Sequence, residues 1–168
     1  GKAMPHWDQA QTAGLNRWVP LHAAGVWGWD PYTWRSVATT GASLCRAPSA
    51  EELPVAQRRI GETKALRPLW LGDHYNLLPV NVDQTRWCAW QLDRPDLNQG
   101  AVFCFRRPES PHPSVELRLR AVDPAARYEL TFVDSGRRLE AAGADLANLV
   151  VEVAAKPGMA LITYQRKQ

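Results

Sequence analysis

The second half of the chain is written in a period of two. VELRLR at 115–120 alternates apolar and charged residues, and YELTF at 128–132 alternates likewise. Alternation puts one set of side chains on a buried face and the other in water, so both segments predict half-buried strands. Residues 86–93, 101–106, 149–153 and 159–165 read as four more. Turn chemistry separates them: DLNQG at 96–100, Asp123-Pro124, Asp134-Ser135-Gly136 and Lys156-Pro157-Gly158. Six short strands joined this way predict an antiparallel sandwich over 80–168, with Val115, Leu117, Leu119, Tyr128, Leu130 and Phe132 facing inward. Residues 144–148 fit one helical turn on a crossover.

Residues 1–72 follow a different pattern, helix and loop around one apolar strand. LNRWVPLHAAG at 15–25 holds a short apolar run closed by glycine, which predicts a buried strand feeding a loop, with Pro20 at a bulge or an end. Over 32–44 periodicity leaves a short helix and irregular backbone equally open. Ser49 and Glu52 have capping-box spacing, and Pro54 suits a first helical turn. A helix is therefore predicted from Pro54 to Leu66, with Ala56, Ile60 and Thr63 or Leu66 and Arg67 facing the core and Pro68 ending or kinking it. Between the halves, WLGDHYNLLP at 70–79 carries the turn signal Gly72-Asp73 and closes on Pro79. The expected division is thus 1–72, a packed linker over 73–79, and the sandwich over 80–168, α+β by content.

Composition narrows the class. With 168 residues, 45% hydrophobic and 22% charged, the chain has an ordinary globular mixture. Folded compactly it would bury roughly 68–70% of its unfolded surface. The net charge of +3 comes from scattered Lys and Arg, so nucleic acid is not an expected partner. No apolar stretch approaches membrane-spanning length and no secretory leader pattern opens the chain, so a membrane is not expected and a cytoplasmic location is. The first residue is Gly rather than Met, which fits a piece of a longer protein. Cys45, Cys88 and Cys104 are too widely spaced for a disulfide framework or a zinc pattern, and the last two fit buried thiols in strands.

Familiar catalytic and cofactor motifs are missing. There is no G-x-S-x-G elbow, no G-x-G-x-x-G and no phosphate loop. The histidines at 6, 22, 74 and 112 never fall three or four apart, so no metal and no cofactor is implied. For acid–base chemistry only Asp30 and Asp73 lie beside apolar loops.

What remains is WGWDPYTW at 27–34. Trp27, Trp29, Tyr32 and Trp34 can be interior anchors of an irregular loop. They can also form a sugar-binding surface, where indole and phenol faces take the apolar C–H face of a pyranose and Asp30, Arg35 or His22 take its hydroxyls. Gly25 and Gly28 would let such a loop bend sharply.

Three stretches taken together resemble the C-terminal part of bacterial α-galactosidase-like enzymes of the glycoside hydrolase family 36 type. They are GLNRWVPLHAAGV with DPYTWRS, then LGDHYNLLPV, then WCAWQLDRPDLNQGAVFCFRRPESP with LRLRAVDPAARYEL; the closing GMALITYQRK also matches. Departures lie at His74, Asn76 and Leu78, where such relatives more often carry an aromatic, a proline and a threonine. The resemblance implies the last βα unit of a (β/α)8 barrel followed by the antiparallel domain. Residues 15–21 would be the last barrel strand, 27–36 the next loop and 54–71 the last helix. Loops at that end of a barrel build the active site. The implied substrate is an α-galactoside, and the residues expected to touch it are Trp18, Trp27, Trp29, Asp30, Tyr32 and Arg35. The family's two catalytic aspartates lie on earlier strands, and no motif here matches them. Two other readings stay open: a free-standing carbohydrate-binding or interaction domain, and a structural β-domain without ligand.

A barrel unit cut from its neighbours would leave apolar surface around Trp18 and Trp34. Packing of Trp70, Leu71 and Tyr75 against the sandwich, or self-association into a homo-oligomer, is the expected remedy.

Overall fold

The computed structural model describes residues 4–39 and 41–167. It opens on a helix that hydrophobic periodicity did not signal, α1 (Pro5–Leu15). Pro5 takes the first helical position, where its missing N–H would be unpaired anyway, and Asp8 lies in the first turn at the positive helix end. The buried face consists of Gln9, Thr12 and Ala13, with Asn16 just beyond the last turn. That spacing of three and four is helical, but the residues are mostly polar and paired inside the protein. Gln9 Nε2 donates to Ser36 Oγ at 3.1 Å, and Thr12 Oγ1 to the Ser36 carbonyl at 2.8 Å.

The strand expected over 15–21 is not there. The chain leaves α1 through turns, and Leu21 has φ 59°, a left-handed conformation that interrupts extended backbone. Strand structure is confined to β1 (Gly25–Val26), which pairs in parallel with β2 (Ser43–Leu44) across the crossover helix α2 (Pro31–Val37). The open stretch 32–44 therefore resolves into helix and strand, with Thr40 outside the described residues. Asp30 Oδ1 accepts from the Thr33 N–H at 2.9 Å and Pro31 takes the first turn, which explains why α2 starts there.

The next helix, α3 (Leu53–Leu66), runs into a 3-10 segment, Arg67–Leu71. The capping-box contacts form on its approach: Ser49 N–H donates to Glu52 Oε2 at 2.9 Å, and Glu52 N–H to Ser49 Oγ at 3.4 Å. Ala56, Thr63 and Leu66 are buried as expected, whereas Ile60 is half-buried and Arg67 exposed.

Eight strands follow in chain order: β3 (Asp73–Asn76), β4 (Cys88–Arg94), β5 (Gln99–Arg106), β6 (Ser114–Leu117), β7 (Arg127–Phe132), β8 (Arg137–Ala142), β9 (Leu149–Glu152) and β10 (Gly158–Arg166). Six of them form one antiparallel sheet in the order β3-β4-β5-β10-β7-β8, and β6 pairs with β9 in a separate ribbon. The segment expected to be a linker thus carries an edge strand, with Asp73 opposite Asp93 and Asn76 opposite Trp90. A short 3-10 stretch, Gly143–Asn148, makes the crossover predicted there.

The large sheet is covered on both faces. On one, Ala89, Val102, Cys104, Leu130 and Ile162 meet Leu117, Leu149 and Val151 of the ribbon. On the other, Trp90, Phe103, Phe105 and Leu161 meet Ala13, Leu66 and Leu69 from the helical half. Double coverage explains why β5 reads as an unbroken apolar run over 101–105 rather than an alternating one. Leu117, Leu119, Tyr128 and Leu130 are buried, and Val115 and Phe132 are partly so, as the alternation predicts. Leu117 is 1% exposed, so Leu117→Ala is expected to cost about 2–5 kcal/mol in urea unfolding.

One buried carboxylate is poorly served. Asp93 Oδ1 accepts the Tyr164 hydroxyl, but Oδ2 is buried without a partner. Burial raises the Asp93 pKa, the bond from Tyr164 works against that, and the Asp73 charge across the strand pair adds to it. A pKa raised on folding contributes stability below the unfolded value and loses it as pH climbs through the folded value. Asp93→Asn should therefore raise the melting temperature at pH 7, and the gain should shrink towards pH 4. A gain that grows on acidification would contradict this sign.

A candidate ligand-binding cleft

The loop between β1 and α2 divides its aromatic residues between interior and surface. Trp29 and Trp34 are both buried and stack with ring centroids 5.3 Å apart, in a small core with Val26, Val37, Ala38 and Ala56. Trp34 Nε1 donates to Thr63 Oγ1 at 2.9 Å, tying α2 to α3. These two rings are anchors, which answers half of what so much aromatic surface is for.

Arg35 is an anchor as well. Its side chain is 1% exposed, and its guanidinium forks onto two carboxylates. Nε and Nη2 donate to Glu62 at 2.8 and 2.6 Å, and Nη1 and Nη2 donate to Asp134 at 2.6 and 2.7 Å. Those bonds hold its pKa above the ordinary guanidinium value against the opposing pull of burial. With its donors engaged between α2, α3 and the β7–β8 turn, Arg35 does not face a ligand. Of the apolar surface expected around Trp18 and Trp34, Trp34 itself is buried, while Trp18, Val19, Leu21 and Leu44 are exposed. Trp18 is 78% exposed and Trp27 40%, and neither borders the cleft described next. Of the residues expected to pack the halves together, Trp70 does so, Tyr75 is half-buried, and Leu71 lies 72% exposed.

Asp30 and Tyr32 do come together. They line a cleft of about 730 Å³ between the N-terminal ends of α1 and α2 and the sheet-end loops. Met4, Pro5, Pro108 and Pro157 supply its apolar surface, and His6, Thr33 and Gln84 join Asp30 and Tyr32 as its polar groups. A cavity of 300–1,000 Å³ with apolar walls and a few polar groups is the usual form of a small-molecule site. The Tyr32 ring is set edge-on against Phe105 at 5.8 Å, and burial raises its hydroxyl pKa. Gly28 gives the loop room here, because a Cβ would lie 2.9 Å from Thr33 Cγ2 and 3.3 Å from Asp30 Oδ2.

The cleft is braced from beneath by Arg107, which is wholly buried. Nε donates to Gln9 Oε1 at 2.9 Å, and Nη1 to Asn81 Oδ1 at 2.8 Å and the Asp83 carbonyl at 2.9 Å. Nη2 donates to the Asn81 carbonyl at 2.9 Å and the His6 carbonyl at 3.4 Å. One side chain thereby fixes both the His6 wall and the loop that carries Gln84. Nothing in the sequence singled out His6, Gln84 or Arg107 for this. They lie far apart in polar segments and converge only through the fold.

Among the described residues that line the cleft Asp30 is the one carboxylate, and hydrolysis of a glycoside with retention takes two carboxyl groups about 5–5.5 Å apart. Among the described residues no group of three or more His, Cys, Asp or Glu could hold a metal ion, and no helix is long and apolar enough to cross a membrane.

No protein-family model and no curated protein matches this sequence. Solved structures do match its fold. The galactosidase domain of the α-galactosidase–sucrose kinase AgaSK superposes with a TM-score of 0.76 at 19% identity, over 98% of this chain and 25% of that one. The GH36 α-galactosidase AgaB from Geobacillus stearothermophilus gives 0.73 at 18% identity, again over 98% and 25%. An α-galactosidase from Lactobacillus brevis gives 0.65 at 15% identity, over 82% and 20%. The chain thus has the fold of the C-terminal region of these enzymes and spans about a quarter of the length of the first two.

Proposed function

We propose that this chain is the C-terminal portion of an α-galactosidase-like glycoside hydrolase of the family 36 type, with the catalytic carboxylate pair supplied by an earlier part of the same protein. The observation that carries this reading is the match of nearly the whole chain, helical half and sheet together, to about a quarter of enzymes described as α-galactosidases.

The parallel pair β1–β2 supports it. Two two-residue parallel strands do not make a stable sheet by themselves, and parallel sheets are normally extended and covered on both faces. Both residues of β2 are exposed, and Leu21 and Leu44 stand beside an apolar hollow of about 460 Å³ that also touches Trp34 and Trp70. In the proposed parent enzyme these strands belong to the barrel and the open edge continues into it. The β-domain then holds the final helices in place.

The test compares the 168-residue chain with the longer protein from which it would come. The longer protein should hydrolyse a chromogenic α-galactoside and the chain alone should not. Turnover by the isolated chain, abolished by Asp30→Asn or Asp73→Asn, would overturn the assignment of chemistry to the missing part.

A further inference from the structure

We propose that the outer edge of β8 is a pairing surface for a second copy of this chain. The two β8 strands would run antiparallel about a two-fold axis perpendicular to the sheet, with Leu139 of one copy opposite Leu139 of the other. Among the described residues nothing pairs with that edge, because the large sheet ends at β8. An unpaired edge presents a row of N–H and C=O groups to a further strand, and folds commonly guard such rows with proline, lysine or a bulge. β8 has no proline, lysine or glycine, and it pairs with β7 without interruption from Ala142 opposite Arg127 to Arg137 opposite Phe132. It also holds an exposed leucine, Leu139 at 41%. Nothing in this pairing depends on the enzyme reading.

The charges select both the partner and the register. In a two-fold pair of identical strands, opposed side chains must share a face, so opposed positions differ by an even number of residues. With Leu139 opposite Leu139, Arg138 of each copy faces Glu140 of the other, twice over. The next allowed register in either direction sets Arg138 against Arg138 or Glu140 against Glu140, and like charges directly opposed destabilise a strand pair. Both side chains are free to turn outward. Arg138 and Glu140 are 71% and 53% exposed, and their ion pairs within the chain are long, 3.8 Å to Glu129, 3.6 Å to Arg127 and 3.4 Å to Lys167. On the opposite face the Arg137 guanidinium lies 3.9 Å from the Phe132 ring centroid, folded onto its own sheet. In this register it meets only the small side chain of Ala141 in the second copy, so the long cation has room.

Sedimentation equilibrium of the 168-residue chain over a range of concentrations tests this. The chain should pass from monomer to dimer with a Kd on the order of 100 μM, since one strand pair buries less than the roughly 1,200 Å² of a stable interface. Raising the salt from about 50 to about 500 mM should weaken the association severalfold, because its selective contacts are exposed ion pairs. Arg138→Glu and Glu140→Arg should each weaken it at least about tenfold, since each change opposes like charges at two places in the dimer. The double variant Arg138→Glu, Glu140→Arg restores the match and should dimerise as the unaltered chain does. An equal mixture of the two single variants should form a heterodimer, because one chain then carries only acids at these positions and the other only bases.

A chain that stays monomeric at the highest concentration, or whose association survives both charge reversals, would overturn the proposal. So would association that Leu44→Asp removes while both β8 variants retain it, because the pairing surface would then be the open edge of β2. Recovery in the mixture supports the proposal even where a single variant is less stable, since only opposed β8 edges determine which two variants rescue each other. Pairing of this kind joins two six-stranded sheets into one that runs unbroken through both copies.

Discussion

Replacing Arg35 with Met is expected to destabilise the protein by about 3–5 kcal/mol, the usual result of removing one partner from a buried ion pair. The cost comes mainly from what is left behind. Glu62 has a side chain only 13% exposed, and without Arg35 its remaining cation is Arg59, whose Nη1 lies 3.0 Å away. Asp134 is 45% exposed and water can replace much of what it loses, so it adds little. Urea unfolding of Arg35→Met and of the double variant Arg35→Met, Glu62→Leu separates these terms. The double variant should recover a large part of the loss, because an apolar pair of similar volume is often no worse than the ion pair it replaces. A loss under 1 kcal/mol in the single variant would show that the α2–α3 junction rests on the stacked tryptophans and not on this cation.

Arg107→Met should have an effect of similar size with a different signature. Arg107 has only neutral acceptors, and its loss strands Gln9 Oε1 and the Asn81 carbonyl, whereas Asn81 Oδ1 keeps the Asp83 N–H and the Asp83 carbonyl keeps the Arg86 N–H. Each unpaired buried acceptor costs about 1–3 kcal/mol, and water entering from the cleft offsets part of the sum, so a net loss of about 3 kcal/mol is expected. Because the stranded groups belong to α1 and the 81–83 loop, the damage should be local. Amide exchange should accelerate in α1 while β5 and β10 keep their protection. Uniform acceleration across the sheet would mean that α1 and the sheet open as one unit.

The contrast between these arginines shows what was legible in the sequence. Alternation located β6, β7 and the inward set of the ribbon because burial there depends on apolar area, which periodicity measures. It missed β8, whose residues are mostly exposed, and β3, whose side chains are polar or half-buried. It missed α1 because that helix buries Gln9 and Thr12 instead of leucines, with partners 24–98 residues away. It placed a strand over 15–21, where apolar composition suggests one but Leu21 has positive φ.

The candidate site divides in the same manner. Aromatic density drew attention to the right loop, yet two of the six expected contact residues turned inward, two project elsewhere, and Asp30 and Tyr32 reach the cleft. The Asp30-Pro31 start of α2 could have located that cleft from one side. The walls contributed by residues 84, 108 and 157 depend on tertiary packing alone.

The three thiols form a built-in gauge of whether a molecule is folded. Cys88 and Cys104 lie on adjacent strands but face opposite layers of the sheet, and burial pushes the Cys88 thiol up to about 11 and Cys104 higher still. Cys88 is shielded by the helical layer and Cys104 by the ribbon, so each meets an alkylating reagent only when its own layer lifts from the sheet. Cys45, in the connection after β2, is exposed. Reagent stoichiometry therefore counts layers: one equivalent consumed per intact molecule, two when one layer lifts and three when both do.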